Sequence, residues 1–282
     1  MKTQSIDTSP DAERVLIGML RSAPISRHFS VVQSWSCSMV EAGRFDVQQL
    51  YPQATMQEVR LLYAERRYGK GLVNELRTVL QQRKEQFSGV LNFQTALIPL
   101  VEMFRQLEIA YALTGSLVSS LYGMPRATMQ LDLIAELEPP HGQLISEQLA
   151  LQYFFCEDEV KTAIERKTSF VLIHIESFLK IVVSLPKPQV CVQGALERAH
   201  LLHLSDGLSS IPVLSPEDMI ILQLNQFKAS GERADDIWYD LTGLLKVQGT
   251  GLDLSFLEKW AAIRDVSSLL KRAFTDAGLR EE

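Results

Sequence analysis

Several protein classes are excluded by what this sequence lacks. Its cysteines number three, Cys37, Cys156 and Cys191, spread over 282 residues. They are too few and too far apart for a disulfide framework or a zinc pattern, and they suit a reducing cytosol. No run of about 18 apolar residues occurs, so no membrane-spanning helix is expected. The first residues, Met1 to Arg14, hold no apolar stretch before a cleavage site, so no secretory signal is expected either. There is no internal repeat and no low-complexity tract. Neither sign of charge dominates: 28 basic side chains face 34 acidic ones, for a net charge of −6. What is present is an apolar fraction of 46%, which is that of a globular chain and excludes disorder over most of its length. At about 150 residues per domain the length predicts two domains.

The charge is divided unevenly. Residues 1–86 carry 12 basic and 9 acidic side chains, and the remainder carries 16 and 25. The first part predicts an all-helical module over 1–86. Ser9-Pro10-Asp11 is a helix start, with a capping side chain and proline at the first helical position. A second helix is predicted over 26–42, with Phe29, Val32, Trp35 and Met39 as its apolar stripe and Gly43 as its stop. Thr55-Met56-Gln57-Glu58 has capping-box spacing and opens a helix ending near Tyr68-Gly69. A last helix follows over 71–86. The basic residues Arg60, Arg66, Arg67, Lys70, Arg77, Arg83 and Lys84 lie here. They are open to a solvated face, a protein-docking surface or contact with RNA phosphates.

From about residue 87 to 282 the pattern is mixed α+β, with short strands near 110–114, 131–137, 170–174 and 178–184. Between them stand helices near 93–107, 117–122, 143–149 and 158–165. Pro99 either kinks the first of these or marks its true start. Beyond Pro212 the chain is predicted to be a helical bundle, opened by Ser215-Pro216-Glu217-Asp218, an N-cap with acids in the first turn. Trp35, Trp238 and Trp260 are expected in the core.

One segment carries chemistry: residues 113–133, with Gly115-Ser116, Gly123, Arg126, Thr128 and Gln130-Leu131-Asp132. A glycine at the turn allows close backbone approach to a phosphate. Ser116 and the first amides of the next helix are anion donors at a positive helix end. Residues two apart on a strand share a face. This segment resembles the signature of the polymerase-β-like nucleotidyltransferases: a Gly-Ser turn, a short helix, a Gly-x-x-Arg-x-Thr linker and a strand bearing Asp-x-Asp. Residues 169–174 with 178–183, and residues 215–224, 238–240 and 245–249, resemble the bacterial branch related to abortive-infection toxins. The front part resembles, more faintly, small helical bacterial proteins of unknown function. The resemblance implies a nucleotidyltransferase-like mixed sheet with flanking helices and a C-terminal bundle, in a cytoplasmic protein. It also implies a link to a toxin–antitoxin or defence system. Gly115, Ser116, Arg126, Thr128 and Lys180 are then the candidate nucleotide-binding residues.

This sequence departs from that pattern at three positions. Gln130 stands where the family has its first metal-binding Asp, Val182 where it has the third carboxylate, and Gln223 where it has a Lys. Asp132 alone is left as a metal ligand and catalytic carboxylate, with Asp240 the best candidate to replace a missing one. Arg126 is open to contacting a triphosphate or to tying the linker to the strand. Lys180 is open to binding phosphate or pairing with Asp132. The expectation is a degenerate, non-catalytic protein that binds nucleotide or regulates. One alternative is a Mg²⁺-dependent enzyme moving NMP from NTP to RNA or protein, with Mg²⁺ as cofactor only in that case. The other is a scaffold whose helical module binds a partner.

Overall fold

A computed structural model describes residues 2–5, 7–83, 89–186, 194–203 and 210–279. Cys191, Lys84 and the side chain of Arg83 lie outside the described residues. The described elements are an α+β arrangement. Four helices lead: α1 (Pro10–Ser22), α2 (Ile25–Leu50), α3 (Met56–Tyr68) and α4 (Lys70–Arg83). Then come α5 (Phe93–Gln106), β1 (Tyr111–Thr114), α6 (Gly115–Tyr122), β2 (Gln130–Ala135), α7 (Pro139–Leu149), β3 (Tyr153–Phe154) and α8 (Glu157–Arg166). The strands β4 (Ser169–His174), β5 (Lys180–Ser184), β6 (His200–Leu202) and β7 (Ile211–Val213) follow, and α9 (Pro216–Ala229), α10 (Asp235–Gln248), α11 (Leu254–Ile263) and α12 (Ser267–Ala277) close the chain.

The strands form one mixed sheet in the order β3-β4-β5-β2-β1-β7-β6. β1 and β2 run antiparallel, with Thr114 opposite Asp132. β2 and β5 run parallel, with Gln130 opposite Lys180 and Asp132 opposite Val182. Leu113, Leu131, Leu133, Ile181 and Val183 fill the buried core along these three strands. No helix among the described residues is long and apolar enough to cross a membrane.

The capping signals act as read. Ser9, Thr55 and Ser215 accept from the backbone N–H of Ala12, Glu58 and Asp218, and Glu58 completes the capping box on Thr55. Gly43 is not a stop, because α2 continues to Leu50. A side chain there would meet the Tyr63 ring of α3 at 2.4 Å, so the glycine serves close packing of two helices. The buried stripe of α2 is Phe29, Val32, Ser36, Val40 and Val47. Trp35 and Met39, 50% and 39% exposed, face away from it. Pro99 lies inside α5, which starts at Phe93 behind an Asn92 cap. Trp238 and Trp260 pack half-buried against the core.

The leading helices pack on the rest of the chain at three places. Phe29, Val32 and Val40 of α2 belong to the main core with Phe93, Leu117 and Leu121. Val73, Leu76 and Leu80 of α4 cover Ile175 and Phe178 at the β4–β5 turn. Ile17 of α1 meets Met124 and Val247.

Candidate functional site

Register and turn geometry build the site. β1 ends at Thr114, and Gly115 takes a positive φ of 69° to start α6. The Asp132 carboxylate lies over this turn, and a Cβ on Gly115 would come 2.2 Å from its Oδ2. Only glycine fits both the backbone angle and the space. The first amides of α6 have no intrahelical acceptor and face this region at the positive end of the helix.

Around the turn lies a cleft of about 770 Å³. Its floor holds Thr114, Gly115, Ser116, Gln130 and Asp132. One wall comes from Lys167, Thr168, Ser169 and Ser184 at the ends of β4 and β5. The other comes from Met219, Leu222, Gln223 and Gln226 of α9 with Asp236 and Asp240 of α10, and Arg126 reaches in from the linker. The structure therefore brings Gly115, Ser116, Arg126, Gln130, Asp132, Gln223 and Asp240 to one cavity. Thr128 is buried beside it. Its Oγ1 lies 2.9 Å from Ser116 Oγ and donates to the Gln130 carbonyl at 3.0 Å. Lys180 and Val182 share the β5 register positions beside Gln130 and Asp132, but neither borders the cavity.

The two open roles now have geometry. Arg126 forms a bidentate pair with Asp240, Nε to Oδ1 at 2.6 Å and Nη2 to Oδ2 at 2.7 Å. Burial opposes the Arg126 charge, but the hydrogen bonds and charge of Asp240 outweigh it and raise the guanidinium's pKa. Lys180 makes no ion pair with Asp132 within 4.0 Å. The Asp132 partner is Gln130, whose Nε2 donates to Oδ1 at 2.6 Å. Burial lifts the Asp132 carboxyl above its ordinary range, against the hydrogen bond from Gln130 and the more distant Lys180 charge.

A pair of divalent cations needs several oxygen ligands, carboxylates first. Here Asp132 stands between an amide and a valine, and Asp240 is committed to Arg126. Among the described residues no group of three or more His, Cys, Asp or Glu side chains is placed to hold a metal ion. The residues present do not fit a two-metal centre.

Two positions in and around the cleft carry no signal in the sequence. Lys167 is the left-handed C-cap of α8 and donates to the Leu137 carbonyl at 2.7 Å. Ser36 of α2 is fully buried and accepts from the Thr128 backbone N–H at 2.9 Å. It thereby ties the helical front part to the linker behind Ser116. The basic residues Arg60, Arg66, Arg67, Lys70 and Arg77 fall on α3 and α4, with Arg67 over the rings of Tyr63 and Tyr68 at 6.0 and 5.8 Å.

No family model matches the sequence, and no curated protein matches it. Among solved structures the chain is similar to an antigenic nucleotidyltransferase-like protein from Paracoccidioides brasiliensis, at 14% identity and a TM-score of 0.41, covering 65% of this chain and 92% of that one. It is also similar to the lincosamide antibiotic adenylyltransferase LnuA in its lincomycin-bound form, at 16% identity and 0.36, over 55% and 97%. A third is the antibiotic-resistance factor ANT(2'')-Ia, at 13% and 0.33, over 64% and 96%.

Proposed function

We propose that the chain is a non-catalytic nucleotide-binding or regulatory protein on a nucleotidyltransferase-type scaffold. The observation that carries this reading is the β2/β5 register, which sets Val182 directly opposite Asp132. That is where the resemblance calls for another metal-binding carboxylate. One carboxylate, already bonded to the Gln130 amide, faces ions whose combined charge would be +4, and neither neighbour supplies compensating charge. Losing metal stabilisation worth several kcal/mol lowers a rate by orders of magnitude, about tenfold per 1.4 kcal/mol.

Binding is supported by the turn. A positive-φ glycine, a helix N-terminus and a cleft of about 770 Å³ suit a phosphate carrying a sugar and a base. Two cations, Arg126 and Lys167, line the cleft against three carboxylates, Asp132, Asp236 and Asp240. That balance favours a ligand with few phosphates, bound modestly. A regulatory place in a toxin–antitoxin or defence locus belongs to the same reading.

The experiment is nucleotide binding by calorimetry in Mg²⁺ and in EDTA, with radiolabel transfer assayed alongside. The expected result is binding of equal strength in both buffers and no transfer. Binding only with Mg²⁺, together with transfer of NMP to RNA or protein that Asp132→Ala abolishes, would establish the enzyme instead.

A further inference from the structure

Beside the turn one polar atom has no partner. The single hydroxyl proton of Ser119 goes to the Gly115 carbonyl at 3.0 Å. The Ser119 oxygen is therefore left to accept. Gln223 Nε2 donates to it at 2.6 Å. The Gln223 Oε1 is left with no donor on a side chain that is 4% exposed. Met219, Leu222 and Gln226 line the cleft from the same face of α9. Buried carbonyl oxygens nearly always have a donor, and beside a cavity that donor can be a water or a ligand.

We propose that Gln223 determines the specificity of the cleft, its Oε1 accepting a hydrogen bond from a sugar hydroxyl of a nucleotide whose phosphate lies at the α6 N-terminus. This inference rests on the nucleotide-binding reading. The reach sets the donor class. Ser119 is four residues along α6 from Gly115, about 6 Å of axial rise. From a 5′-phosphate at the first turn, that reach ends at the sugar, and the edge of the base lies farther out. A carbonyl oxygen takes a hydroxyl proton and gains nothing from another phosphate oxygen. A ligand lacking the hydroxyl leaves Oε1 buried and unpaired, which is how a polar site rejects an analogue smaller by one oxygen.

The test uses calorimetry on the full chain with the four ribonucleoside 5′-monophosphates and their 2′-deoxy and 3′-deoxy counterparts. For a base that binds, one deoxy form is expected to bind roughly tenfold more weakly to the unaltered chain. Gln223→Leu is expected to bind both sugar forms equally. Gln223→Glu keeps an acceptor oxygen and is expected to keep the discrimination; it is the variant to read where Gln223→Leu does not fold. Equal affinity of all sugar forms in the unaltered chain, discrimination that survives Gln223→Leu, or its loss in Gln223→Glu overturns the inference and leaves nucleotide binding standing. A chain that binds none of these monophosphates overturns the inference, and one that binds no nucleotide at all overturns both.

Discussion

Two groups of buried charges stand on α10, and they are finished to different degrees. Near its C-terminal end Lys246 meets Glu13 of α1 at 3.1 Å, with side chains 1% and 2% exposed. Lys246 also donates to the Lys2 carbonyl, and Glu13 Oε1 accepts from the Gln4 N–H at 2.6 Å. Each charge in this knot has a partner in place. In its N-terminal half Asp240 pairs directly with Arg126 at the edge of the cleft of about 770 Å³; beside that pair, Asp132 of β2 has one amide donor and Gln223 Oε1 of α9 has none. An unpartnered buried oxygen occurs beside both groups, Gln4 Oε1 at the knot and Gln223 Oε1 at the second; what sets the second apart is that it borders the cleft.

That contrast can be broken by substitution. Lys246→Met strands the Glu13 carboxylate and should cost about 3–5 kcal/mol in urea unfolding. The double variant Glu13→Leu with Lys246→Met should recover most of that loss; no recovery would deny the knot its purely structural role. Asp240→Asn breaks a bidentate pair whose carboxylate is buried and whose guanidinium is about one-third exposed, and should cost about 2 kcal/mol. It should also tighten nucleoside monophosphate binding several-fold, since Arg126 is released and a carboxylate is removed. Weaker binding would show that Asp240, not Arg126, serves the ligand. Ser36→Ala removes the acceptor of the Thr128 N–H and should cost about 1 kcal/mol, with nucleotide affinity falling alongside; unchanged affinity would uncouple α2 from the turn.

The smallest effect is that of Asp132→Asn, and its sign is the useful part. The Asp132 pKa is raised on folding, so the folded chain holds its proton more firmly than the unfolded chain does. Its contribution to stability is present at low pH and is lost as pH rises from about 4, the unfolded value, through the raised folded value. Asp132→Asn should therefore raise the melting temperature at pH 7, and the gain should vanish toward pH 4. A loss at pH 7 would mean that the charged carboxylate is stabilised by a contact absent here.

The strand–turn–helix–strand segment was legible because its signals are local: a glycine turn, a period of two on β2, and caps within three residues. Thr55 and Ser215 behave as spacing alone says. The phase of α2 is not legible because its buried side passes through Ser36 and Gly43, which carry no hydrophobic signal, whereas Trp35 and Met39 do. Gly43 is explained by Tyr63, a tertiary neighbour. The strands β3, β6 and β7, two or three residues long, are too short to show alternation. At the site, residue types were readable but partners were not. In the sequence Asp240 stands as a spare metal ligand, because its partner Arg126 lies 114 residues away. Lys180 was weighed against Asp132 on a shared strand face, where Gln130, two residues from Asp132, is the partner instead.

The central claim is that the floor of the cleft lacks the negative charge to hold paired divalent cations. Manganese titration of the nucleotide-free chain, followed by electron paramagnetic resonance, tests it most directly, with the double variant Gln130→Asp, Val182→Asp as reference. The account predicts no tight manganese in the unaltered chain and a new site in the double variant, where two added carboxylates flank Asp132. Two tightly held ions in the unaltered chain, lost on Asp132→Ala, would contradict it.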